Sequence, residues 1–165
     1  MILQIADWEF DIDMERTMAY SADEAAGHCD CAYCRNFYSV VDRDCPQLRP
    51  FLAQFGVDVE APDELQCFDA QGWVRYVCSY AVFGRILRFG KKPFIVGNGE
   101  IEPTINSEFD LEEPYFILAL DGLEILWELE EEPFEEVISP ANEPSFLKRM
   151  WNRLLGKLKQ DDILS

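Results

Sequence analysis

Histidine and positive charge are what this 165-residue chain has least of: one His, and 14 basic residues against 32 acidic ones. The formal net charge of −18 repels phosphate backbones and anionic lipid, which sets aside general nucleic-acid binding and electrostatic attachment to a membrane. Apolar runs are short too, and none approaches the roughly 18 residues of a membrane-crossing helix. Met1 to Phe10 has no basic region, no continuous apolar core and no small-residue cleavage site, so the expected compartment is the cytoplasm. Gly97-Asn98-Gly99 is too short and wrongly placed to cradle a phosphate, and no P-loop or nucleophile elbow occurs. No repeat of fixed period stands out. These absences favour a non-catalytic role.

What the chain does have is apolar bulk and cysteine. Apolar residues make up 48% and aromatics 13%, enough burial to offset the ordering entropy of a globular domain. The six cysteines are unevenly spread, and three of them fall with the single histidine inside His28-Cys29-Asp30-Cys31-Ala32-Tyr33-Cys34. In a reducing compartment, clustered thiols are metal ligands or redox groups more often than structural disulfides. Cys31 and Cys34 have the spacing that lets two thiolates reach one ion from a turn, and Cys29 lies close enough to join them. His28 completes a candidate set of Cys29, Cys31, Cys34 and His28 for zinc, a tetrahedral ion that prefers sulfur. Using both His28 and Cys29 needs a tight loop, since neighbouring side chains in extended backbone point apart; Cys67 or Cys78 from a sheet is an alternative fourth ligand. Cys45 is too far along a helix from Cys34 to share its ion. Cys45, Cys67 and Cys78 otherwise read as core residues.

The competing chemistry is thiol–disulfide exchange by Cys31 and Cys34, a dithiol at an expected helix N-terminus where the macrodipole favours thiolate. Against it, redox dithiols usually follow a strand in a βαβ unit, and the surrounding pattern here is helical.

Strict alternation from Ala6 to Asp13 predicts a half-buried strand. Residues 14–27 show no clean period and read as a loop. Tyr33, Phe37, Tyr38, Val40 and Val41 predict a short helix over 32–41 with Arg35, Asn36 and Ser39 turned outward. A second helix is expected after Pro46, ending at Gly56. Strands are expected over 65–70 and 73–82, at 85–89 and 94–96 as a hairpin, and over 115–120 and 123–129 about an Asp121-Gly122 turn. Finally, Phe146, Leu147, Met150, Trp151, Leu154, Leu155 and Leu158 make an apolar stripe at helical spacing, with five basic residues and no acidic one between Pro144 and Gln160.

The expected fold is therefore α+β: an antiparallel sheet of four or more strands, two short helices in the N-terminal half and an amphipathic C-terminal helix. Residues 1–142 would form one domain, with a helix over 143–160 docked on it. The expected partner is another protein, with neither nucleic acid nor membrane involved.

The stretch Cys31-Ala32-Tyr33-Cys34-Arg35-Asn36-Phe37 resembles a family of small bacterial proteins of Gram-positive type, whose pattern is C-x-Y-C, then Arg or Lys, then Asn and an aromatic. Phe55-Gly56-Val57-Asp58, Pro62 and Gly72-Trp73 resemble the same family's later Phe-Gly-Ile-Asp, proline and glycine-aromatic succession. The resemblance covers roughly Cys31 to Val82, leaves His28 and Cys29 outside the pattern, and implies an intracellular protein without implying an activity.

Overall fold

The alternation near the N-terminus does build a strand, but as the second arm of a hairpin. In the computed structural model, which describes residues 1–70, 73–105 and 109–130, Ile2–Ile5 (β1) pairs antiparallel with Trp8–Ile12 (β2). Ala6, at a φ of 53°, turns the chain between them. The strand thus starts at Trp8, and Trp8, Phe10 and Ile12 are buried as their spacing requires.

The segment expected to be a loop is a helix, Met14–Ala26 (α1). Asp13 caps it by accepting from the Arg16 N–H, the usual service of an N-cap carboxylate. Its inward face carries hydroxyls in place of an apolar stripe. Thr17 Oγ accepts from the Phe83 N–H at 3.1 Å, Ser21 Oγ accepts from the Asp58 N–H at 2.8 Å, and Tyr20 donates to Asp63. Two further helices follow, Ala32–Asp44 (α2) and Leu48–Ala53 (α3).

The remaining strands are Glu64–Ala70 (β3), Trp73–Arg88 (β4), Phe94–Val96 (β5), Gly99–Thr104 (β6) and Tyr115–Leu126 (β7). Together the seven strands form one antiparallel sheet in the order β1-β2-β4-β7-β6-β5, with β3 also pairing β4. The expected balance of a modest sheet with helices at both ends is therefore corrected: the sheet dominates, and three helices lie in the N-terminal part of the chain. The expected helix over 143–160 lies outside the described residues. Asp121-Gly122 is not a hairpin turn either. β7 runs straight through it, with a register shift opposite Tyr76 and Cys78, so Gly122, at a φ of 75°, serves a bulge.

β4 explains why α1 is needed. Its residues 73–79 pair with β3 and its residues 84–88 with β2, on the edge opposite β7. Between those two partners the edge would leave N–H groups unsatisfied. The Ala81 N–H donates to Asp63 at 2.6 Å and the Phe83 N–H to Thr17, so side chains fill the gap in the ladder. Gly84 sits where β2 takes over. Its φ is 140°, and a Cβ there would lie 2.1 Å from the Asp11 carbonyl oxygen, so only glycine fits.

Burial raises the Asp63 carboxyl above its ordinary value, although the Tyr20 and Ala81 hydrogen bonds favour the anion. The fold therefore prefers the protonated acid. Its contribution is fully present below the unfolded pKa of about 3.9 and is lost as pH rises through the higher folded value. The stability of the protein relative to its Asp63→Asn variant should accordingly fall between pH 3 and pH 7. Urea unfolding of both proteins at several pH values measures this; a difference that grows with pH would contradict it.

The main core lies between the inner sheet face and helices α2 and α3, centred on Phe10, Phe37, Leu48, Leu52, Phe55, Tyr76, Tyr80 and Phe116. A smaller cluster of Ala81, Phe83, Tyr115 and Ile117 forms on the other face under Tyr20, Phe109 and Leu111.

Candidate metal centre at the start of α2

Cys31 is the N-cap residue of α2, with φ −70° and ψ 160°. This extended conformation ends the preceding loop while the Cys31 carbonyl already accepts the Arg35 N–H at 2.9 Å. Cys34 sits one turn later on the inward face of the helix, which also carries Phe37 and Val41, and is buried with them. Cys29 lies in the exposed loop before the helix, and its sulfur accepts the Cys31 N–H at 3.4 Å.

The result is convergence. The sulfur atoms of Cys29, Cys31 and Cys34 all lie within 4.8 Å of one another, close enough to bind one metal ion. Four thiolates about 2.3 Å from a tetrahedral zinc are spaced about 3.8 Å apart, so the trio needs at most a small contraction. The three side chains expected from the sequence to share an ion are thus brought together. His28 is placed differently: its ring stacks on Tyr38, with centroids 4.6 Å apart and planes inclined by 21°.

The thiols are electrostatically unequal. Partial burial raises Cys31, but the Cys34 backbone N–H, the neighbouring Cys29 and Cys34 side chains and the Tyr33 N–H outweigh it, holding Cys31 below the ordinary thiol range. Burial, and then Cys31 itself, push Cys34 well above that range. Proton loss is therefore easiest at the exposed, helix-capping sulfur.

The sheet contributes more sulfur. Cys78 on β4 is fully buried within the main core, and Cys67 on β3 packs against it, partly buried. Burial, followed by the charge of Cys31, pushes the Cys67 thiol up to about 12. Cys45 is buried elsewhere in the core, where its thiol lies 3.7 Å from the Val96 carbonyl.

One residue of the cysteine motif faces the interior against expectation. Asn36, expected to face outward, is fully buried. Its amide donates to the Leu126 carbonyl at 3.1 Å and to the Tyr76 hydroxyl at 3.4 Å, and its oxygen accepts the Glu128 N–H at 2.9 Å. Tyr76 in turn donates to the Tyr33 carbonyl at 2.8 Å. Asn36 thus holds the chain leaving β7 against the helix that carries Cys34. Val40, four residues on and so on the same helix face, is buried and is the signal in the sequence.

No protein-family model, curated protein or solved structure matches this chain. Among the described residues, no helix is long and apolar enough to cross a membrane.

Proposed function

We propose that this is a non-catalytic cytoplasmic protein in which Cys29, Cys31 and Cys34 hold a structural zinc ion and which acts by binding another protein. The convergence of the three sulfurs within 4.8 Å carries the reading. Thiolate sulfur selects zinc over calcium or magnesium, which take oxygen ligands. Zinc bound here would tie the 28–31 loop to the first turn of α2, and its binding energy would add to folding stability. The protein-binding part is supported by Phe68, Trp73 and Leu126, large apolar side chains left exposed on the sheet, since exposed apolar groups of this kind favour association.

The asymmetry of Cys31 and Cys34 favours a second reading, a thiol–disulfide redox protein using that pair. An accessible thiol held low beside a buried one held high suits attack by the first and resolution by the second. Thermal unfolding with and without zinc, paired with thiol alkylation counted by mass, separates the two. The zinc reading expects zinc to raise the midpoint and to protect Cys29, Cys31 and Cys34 from alkylation. Failure of zinc to do either, with a reversible Cys31–Cys34 disulfide forming under mild oxidant, would establish the redox reading instead.

A further inference from the structure

Three converging sulfurs leave one position of a tetrahedral ion unfilled. We propose that Cys67, delivered by β3, is the fourth ligand, closing a four-sulfur site that staples the first turn of α2 to the sheet. This rests on the zinc reading above and names the part it leaves open.

The placement follows from strand register. Cys67 pairs across the ladder with Tyr76, and residues opposite one another in antiparallel strands project from the same face with Cβ atoms about 4.5–5.5 Å apart. Tyr76 is an inward residue, and its hydroxyl reaches the carbonyl of Tyr33, the residue before Cys34, at 2.8 Å. Its ring lies 5.1 Å from that of Phe37, one turn beyond Cys34. Cys67 therefore stands beside a side chain that itself touches the cysteine-bearing turn.

The competing donors are worse placed. His28 lies exposed in the loop before α2 and stacks its ring on Tyr38. Cys78 has no exposed surface and pairs with Leu65 and Leu120, enclosed by apolar neighbours on either side. Cys67 does not belong to the group that lies within 4.8 Å, so closure requires a side-chain rotation at Cys67 or an inward swing of the exposed 28–31 loop. The loop carries exposed Cys29, Asp30 and Cys31, whose movement uncovers no core.

X-ray absorption at the zinc edge of the full chain tests this without a mutation. Four sulfurs at about 2.3 Å are expected, while three sulfurs with one nitrogen or oxygen would overturn the assignment and leave the zinc reading intact. A chain that takes up no zinc would instead defeat the zinc reading itself. Cobalt substitution adds the residue identity. Cys67→Ser should lose about a quarter of the thiolate-to-cobalt charge-transfer intensity, one donor of four, while His28→Ala keeps the full band. Equal intensity in Cys67→Ser and the unmutated chain would overturn the role given to Cys67.

Discussion

Asn36→Ala is expected to lower the unfolding free energy by about 3 kcal/mol, because a part-buried carbonyl and N–H would each lose their partner and a void would open at a fully buried position. The amide of Asn36 satisfies the Leu126 carbonyl and the Glu128 N–H and also meets the Tyr76 hydroxyl. Alanine can replace none of these, and a methyl group leaves a void among fully buried neighbours such as Phe37 and Tyr76. At this chain length the loss corresponds to a fall in midpoint of roughly 6–12 °C. Ser39→Ala, on the exposed side of the same helix, should cost less than about 0.5 kcal/mol. Calorimetric unfolding of both variants measures the contrast. Equal stability in the two would mean that the grip on residues 126–128 contributes nothing.

The second large effect is on metal affinity. Cys34→Ser should weaken zinc binding by more than about 100-fold, since even the loss of an outer hydrogen-bond partner of a ligand typically costs 10–100-fold. The serine is nearly isosteric, and the core around Phe37, Val40 and Val41 remains, so the zinc-free variant should fold. What disappears is the gain on adding metal. For the unmutated chain with zinc at about a thousand times its dissociation constant, that gain is about 4 kcal/mol. Unfolding midpoints with and without zinc give the comparison: a rise in the unmutated chain and none in Cys34→Ser. The same rise in both would remove Cys34 from the site.

Local features were readable from the chain and distant ones were not. Cys29, Cys31 and Cys34 lie so near one another in sequence that almost any turn brings their sulfurs close, and the structure does. Trp8, Phe10 and Ile12 alternate because one face of β2 is buried. By contrast α1 carries no apolar period, since its inward face is built of hydroxyls: Thr17 supplies a bond missing from the edge of β4, while Tyr20 and Ser21 bond Asp63 and the Asp58 N–H in the chain before β3. That need exists only once β2 and β3 have both paired with β4. Asp121-Gly122 has the composition of a two-residue turn, yet long-range pairing with β4 keeps the strand going and turns the glycine into a bulge. Asn36 looked like a surface residue because its partners, Leu126 and Glu128, lie about 90 positions away in the chain. The sequence offers Cys67 and Cys78 alike as a fourth ligand, and only the register of Cys67 with Tyr76 separates them.

Native mass spectrometry of the protein, prepared without chelator, tests the metal centre most directly. The account predicts one zinc per chain, bound with loss of protons from the coordinating thiols, and its disappearance when Cys29, Cys31 and Cys34 are replaced together by serine. A chain carrying no zinc after exposure to the metal, or one that keeps its zinc in the triple variant, would contradict it.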